Sequence, residues 1–168
     1  MNSRPSLDEY LMSLAIDASK RTTCIRRGVG CVLANERGHV LAIGYNGVAS
    51  GLPHCNEKRV SLTRGPASTL GTFPHACVGH GLPPGQDSCE AVHAEQNALL
   101  QCRDPWEVRT AYVTLSPCKA CLKLLLNTGC QRIVVLKEHV GLMPKELWAR
   151  VGRAWEVFDR RALPTEPL

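Results

Sequence analysis

Two short segments, His93-Ala94-Glu95 and Pro117-Cys118-Lys119-Ala120-Cys121, constrain this chain more than any other feature. They carry an imidazole, two thiols and a carboxylate, the donor types of a tetrahedral zinc site. Any fold that uses them must bring both segments to one point. Ser116-Pro117 reads as an N-cap followed by proline at the first helical position, where the missing N–H has no partner in any case. The helix continues through Leu122 to Leu126 and stops at Asn127-Thr128-Gly129. Its first turn sets the Cys118 and Cys121 sulfurs on one face, beside unpaired N–H groups and the positive end of the helix dipole, where thiolate is favoured. Ser88 to Cys102 reads as a second helix with Leu99 on its apolar side and with His93 and Glu95 near its start. Two facing helix starts can hold a metal.

Composition fits one globular domain, 1–168. At 168 residues the chain can bury a core without disulfides, and its 44% hydrophobic content is ordinary. No apolar run approaches a membrane span. Met1 to Lys20 contains acidic residues and lacks an uninterrupted apolar centre, unlike a secretory signal, so the expected compartment is the cytoplasm. Nine cysteines, an odd number, argue for metal ligation and buried thiols over a disulfide framework. Cys31, Cys102 and Cys130 lie in apolar segments and read as core. The net charge of +5 suits an anionic partner. With 5% aromatics and scattered lysines and arginines, a stacking platform for single-stranded nucleic acid is poorly supported.

Ser6-Leu7-Asp8-Glu9 is a capping box, and Leu7, Tyr10, Leu11, Leu14 and Ala18 recur at helical spacing, which predicts a helix to about Arg21. Val29 to Ala34 and Val40 to Tyr45 are β-rich runs joined by Asn35-Glu36-Arg37-Gly38, a hairpin. Ala111 to Leu115 and Ile133 to Leu136 are apolar strands flanking the Cys118 helix, which implies a parallel pair. Pro144 to Val151 reads as a last helix, Trp155 to Phe158 as a last strand, and 159–168 as a frayed tail. The order predicts an α/β fold: a three-layer αβα sandwich whose mixed five-stranded sheet carries helices on both faces.

One stretch does not fit a compact domain. Asn46 to Asp87 is rich in Gly and Pro, lacks periodicity and far exceeds the loops of roughly a dozen residues that compact folds tolerate without a function. This insertion carries His54, Cys55, His75, Cys77 and His80, with Cys24 before it and Cys89 just after. Four of these seven could bind a closed zinc that replaces the missing core, with thiolates the better ligands; incidental cysteines in a partly disordered insertion are the plainer reading.

A site with three protein ligands keeps an open position, whereas a site that only staples a fold takes a fourth. Glu95 is the obvious fourth donor, yet its place two residues from His93 on a helix points it elsewhere, towards a bound water. H-x-E with P-C-x-x-C is the known pattern of zinc deaminases of nucleobases. The chain also carries Cys24-Ile25-Arg26-Arg27 before Val29-Gly30, Gly44-Tyr45-Asn46-Gly47, Gly51-Leu52-Pro53-His54-Cys55, and Tyr112 to Cys118 reading YVTLSPC. On these residues, from about Pro5 to Phe158, it resembles the deoxycytidylate (dCMP) deaminases, particularly the bacterial and phage type.

That resemblance implies a cytidine deaminase-like fold, hydrolysis of dCMP to dUMP and ammonia, and a catalytic Zn²⁺ on His93, Cys118 and Cys121. It also implies a second, structural Zn²⁺, for which Cys24 and Cys55 match family ligand positions and Cys77 and Cys89 are taken to complete the set. Glu95 is implied as the proton shuttle, the Ala94 N–H as donor to the base carbonyl, the Ser116 carbonyl as acceptor from the exocyclic amine, and Asn46 as holder of the sugar 3′-hydroxyl. Without the resemblance Asn46 reads equally well as a turn residue beside Gly47. Arg26 and Arg27 are candidates for the 5′-phosphate, or solvated surface charges. The resemblance further implies a homo-oligomer, commonly a hexamer in that family, with dCTP as activator and dTTP as inhibitor. Two departures stand out: Ala49 where proline is usual, and Lys137-Glu138-His139-Val140 in place of a tyrosine-containing segment. The competing readings are a deaminase of a modified or different nucleotide, a polynucleotide (tRNA or single-stranded DNA) deaminase, and a zinc-stapled binding module without catalysis.

Overall fold

A computed structural model describes residues 4–55, 89–138 and 143–163. The first helix, α1 (Leu7–Ser19), begins as expected: the Ser6 hydroxyl accepts from the Glu9 N–H, and the Glu9 carboxylate accepts in return from the Ser6 N–H. It stops two residues short of Arg21, at a C-cap on Lys20. β1 (Gly30–Ala34) and β2 (Val40–Tyr45) form the predicted antiparallel hairpin. Its turn is closed by the Asn35 side chain, which accepts from the Arg37 and His39 N–H groups.

β5 (Thr110–Val113) and β6 (Arg132–Val135) pair in parallel on either side of α3 (Lys119–Leu126), and β7 (Ala154–Val157) extends the parallel half after α4 (Met143–Ala149). The strand order is β2-β1-β5-β6-β7. Because β1 runs antiparallel to both neighbours, the five-stranded sheet is mixed, as the order of elements required.

Side chains alternate across the sheet with the period of two that a strand imposes. Val32, Ala34, Tyr112 and Val134 point to one face and pack on Leu11, Met12 and Ala15 of α1. Cys31, Leu33, Ala111, Val113, Ile133 and Val135 point to the other, where they meet Ala98 of α2 (Ala94–Gln101), Leu122 and Leu125 of α3, and Trp148 of α4. Helices therefore cover both faces. Cys31, Cys102 and Cys130 are buried in this second core, as their apolar surroundings predicted.

Three local expectations change. The second helix, expected from Ser88, which lies outside the described residues, starts only at Ala94: Ala91–Val92 (β4) pairs with Gly47–Val48 (β3), which takes up the backbone groups that a longer helix would use. The nominal insertion thus opens with a strand. Ser116 is not the cap of α3, because its N–H donates to the Lys137 carbonyl at 2.9 Å and the chain stays extended until Cys118. Residues 160–162, assigned to the tail, form a 3₁₀ turn whose Asp159 cap accepts from the Arg161 N–H.

Glycine at 44 lets α2 lie directly on β2. A Cβ there would stand 2.2 Å from the Ala94 carbonyl oxygen and 2.4 Å from the Ala98 nitrogen, both backbone atoms that cannot rotate aside. Gly44→Ala is expected to lower unfolding free energy by about 1–3 kcal/mol, the usual range for overpacking, measured by urea denaturation.

Candidate metal centre and active site

Both helix starts that carry the donor residues converge at the carboxyl ends of β5 and β6. His93 is the N-cap of α2, with extended backbone, and its N–H donates to the Gln96 side chain at 2.8 Å. Asn97, one turn along, donates to the Tyr45 carbonyl at 2.7 Å and pins the helix to the end of β2. Cys118 is the N-cap of α3, and its sulfur accepts from the Cys121 N–H at 3.5 Å. His93 Nδ1 lies 3.4 Å from each of the two sulfurs. The ligand atoms of His93, Cys118 and Cys121 all fall within 4.8 Å of one another, the only such gathering of donors among the described residues.

The electrostatics match a cation site. The Cys118 thiol is pushed down to about 3, chiefly by the Cys121 thiol that donates to it and then by His93 and the Cys121 N–H, against the opposing effect of burial. Cys121 is driven in the opposite direction by the same shared proton, its hydrogen bond to Cys118, and by burial. His93 is raised above its ordinary value by its hydrogen bond to Cys118. A soft thiolate pair with one imidazole is a donor set suited to zinc.

Glu95 sits in the first turn of α2, only 3% exposed, and lies outside the three-donor cluster. Burial pushes its carboxyl up to about 6, opposed by a backbone N–H and by nearby His93, and it also shares a hydrogen bond with Cys121. An acid placed like this is poised to exchange protons near neutral pH. Cys31 is fully buried beside Glu95, and its thiol is pushed well up, first by burial and next by that carboxylate.

Asn46 is not a turn residue. It is buried between β2 and β3, where its Oδ1 accepts from the Val29 N–H and the Thr22 hydroxyl and its Nδ2 donates to the Arg27 carbonyl, each at 2.8 Å. The second Nδ2 hydrogen has no partner among the described residues. Thr22, which sequence reasoning missed, clamps this residue from both its carbonyl and its amide. Gln96 was missed as well, although a Gln three residues after the cap is a legible signal. Arg26 and Arg27 are both exposed, and only Arg27 borders a cleft that passes Thr114 and Leu115.

Of the second set, Cys77, His75 and His80 lie outside the described residues. Cys24, Cys55 and Cys89 are described and do not form a three-donor cluster with one another or with other described residues. Thr23 Oγ1 and His54 Nδ1 stand 3.2 Å apart, which joins the neighbours of Cys24 and Cys55.

The sequence model described as "Cytidine and deoxycytidylate deaminase zinc-binding region" matches residues 5–137. The chain belongs to this family. It is 38% identical over 137 residues to a deoxycytidylate deaminase of Mycobacterium phage D29, covering 81% of this chain and 98% of that one. A deoxycytidylate deaminase of Schizosaccharomyces pombe is 35% identical over 165 residues, 97% of this chain but 46% of the yeast protein. Among solved structures, dCMP deaminase from the cyanophage S-TIM5 in complex with dCMP and dUMP superposes with a TM-score of 0.66 at 23% identity, covering 94% of this chain and all (100%) of that one. This likeness establishes the cytidine deaminase-like α/β fold. As a member of this family the chain is a deaminase, and the family's zinc fits the His93, Cys118 and Cys121 donor set.

Proposed function

We propose that this deaminase hydrolyses dCMP to dUMP and ammonia, with His93, Cys118 and Cys121 holding the zinc. The observation that carries the reading is the buried Glu95 carboxyl beside a three-donor cluster that does not include it. The names of the phage and yeast relatives supply the substrate. A zinc ion on these donors acts as a Lewis acid and lowers the pKa of water to near neutrality. Glu95 takes a proton from the attacking water, delivers it to N3 of the cytosine ring, and later protonates the amine that leaves C4. Ala94 is the first residue of α2, where a backbone N–H lacks an intrahelical acceptor, and that donor holds the base carbonyl. The Ser116 carbonyl accepts from the exocyclic amine, and the spare Nδ2 hydrogen of Asn46 meets the sugar 3′-hydroxyl. Zinc-loaded protein incubated with dCMP, cytidine, dCTP and AMP tests the assignment. Release of ammonia from dCMP in preference to the others supports it, and no dCMP turnover overturns it.

The same reading extends to a second, structural zinc on Cys24, Cys55, Cys77 and Cys89, supported by the buried Cys55 and by the Thr23–His54 contact beside it. Metal analysis is expected to find about two zinc ions per chain; a single ion rejects the second site. A single domain, a cytoplasmic setting, a hexamer and control by dCTP and dTTP complete the proposal. Among the described residues no helix is long and apolar enough to cross a membrane. Light scattering and dCMP turnover with each triphosphate added test the last two properties.

A further inference from the structure

We infer that Thr22 is a positioning residue for the sugar: its hydroxyl holds Asn46 so that the amide meets the 3′-hydroxyl as a donor only, an assignment that rests on the nucleotide reading above. An asparagine amide can bond a hydroxyl through either end, and the end it offers depends on what its neighbours already occupy. Around the buried Asn46 the neighbours leave one choice. The Val29 N–H can only donate, so it fixes Oδ1, and the Arg27 carbonyl can only accept, so it fixes Nδ2, both at 2.8 Å. The Thr22 hydroxyl, also at 2.8 Å, takes the remaining lone pair of Oδ1. Its proton points that way because the Cys24 N–H, a donor, already occupies the hydroxyl oxygen at 3.1 Å; the Asn46 carbonyl shares the proton at 2.8 Å. With Oδ1 filled, the second Nδ2 hydrogen is what Asn46 has left for a ligand, and a sugar hydroxyl must accept from it.

Of these three partners, Thr22 alone is anchored outside the segment that Asn46 organises. Arg27 and Val29 belong to 24–29, which hangs from Thr22 and Asn46 themselves: the Cys24 N–H donates to Thr22, and the Val29 carbonyl accepts from the Asn46 N–H at 3.1 Å. Thr22 follows the end of α1, two residues past its C-cap, and its N–H donates to the Ser19 carbonyl at 3.3 Å. Its methyl group closes against Gly28, where a Cβ would stand 3.0 Å from Thr22 Cγ2. Because α1 packs on the sheet through Leu11, Met12 and Ala15, Thr22 refers Asn46 to a fixed element. On the other side, the carbonyl of Tyr45, the residue before Asn46, accepts from Asn97 of α2, the helix that carries Glu95. Asn46 is thus held in register with the reacting groups from two helices.

The test compares dCMP with 2′,3′-dideoxycytidine 5′-monophosphate, which lacks only the 3′-hydroxyl, on zinc-loaded wild type, Thr22→Val and Thr22→Ser. Valine keeps the shape and loses the hydroxyl, whereas serine keeps the hydroxyl. Wild type is expected to favour dCMP by about tenfold in kcat/KM, the effect of one hydrogen bond. In Thr22→Val that preference should fall to within about threefold, chiefly through a higher KM for dCMP, and Thr22→Ser should restore it. If the valine variant does not fold, Thr22→Ala takes its place, since it also lacks the hydroxyl and needs less room. A hydroxyl that merely supports the fold would affect both nucleotides alike. An unchanged preference in the valine or alanine variant therefore overturns the assignment, as does a serine variant that loses the preference. A wild type that treats the two nucleotides alike takes the sugar away from Asn46 and overturns the role of Thr22 with it. Should wild type not deaminate dCMP at all, the substrate reading fails separately, and calorimetric binding of the two nucleotides decides the role of Thr22 by the same change, from about tenfold in wild type to within about threefold in Thr22→Val.

Discussion

Replacing Glu95 by glutamine is expected to reduce dCMP turnover by about 10²–10⁴-fold, the range that a positioned acid–base group contributes, while zinc content stays unchanged. The asymmetry follows from the geometry. Glu95 is excluded from the His93, Cys118 and Cys121 cluster, so the metal keeps all its protein donors in the variant. Folding should not suffer either. Burial already holds the carboxyl up at about 6, so the folded state disfavours the charge that glutamine removes. The amide preserves shape and can still hydrogen-bond near Cys121, but it cannot accept a proton from water. Turnover followed by ultraviolet absorbance and zinc followed by atomic absorption check the two halves. A variant that retains full activity would assign the proton transfer to another group, and one that loses zinc would make Glu95 a ligand.

The metal donors were legible because zinc chemistry dictates residue types and their spacing, and Cys-x-x-Cys followed by helix-forming residues admits few other uses. The helix starts were less so. Ser116 looks like a better cap than Cys118, and the helical reading of the second segment ran ahead of His93, yet the local preference yields to tertiary hydrogen bonds: Lys137 takes the Ser116 N–H, and the β3–β4 pair takes the residues before His93. The sheet was readable from its alternating apolar residues, since each strand must satisfy two different cores. Asn46 shows the opposite case. Its neighbour Gly47 suggested a turn, and only its distant partners Thr22, Arg27 and Val29 reveal a clamp that shapes the loop carrying Arg27. Of the cleft that passes Thr114 and Leu115, Arg27 was legible and its surroundings were not, because they come from segments whose proximity exists only once the strands lie in one sheet.

Cys118→Ala is expected to abolish dCMP turnover and to remove one zinc per chain, with two separable causes. The sulfur is one of the two thiolate donors that would hold the zinc, and the Cys121 thiol, His93 and the Cys121 N–H favour its charged form. It is also the N-cap of α3, and alanine leaves that N–H without its acceptor, a loss of about 1 kcal/mol. Cys118→Ser distinguishes the two, since a hydroxyl caps a helix well but does not ionise near neutral pH. The serine variant should therefore recover the capping part of stability while zinc and activity remain lost. Chelation supplies the complementary reading: a ligand bound only by the folded state stabilises it by mass action, so removing zinc should lower the wild-type Tm. In either Cys118 variant the active-site part of that decrease disappears. Wild-type zinc content and turnover in Cys118→Ala would place the donors elsewhere, because no other three-donor cluster exists among the described residues to replace it.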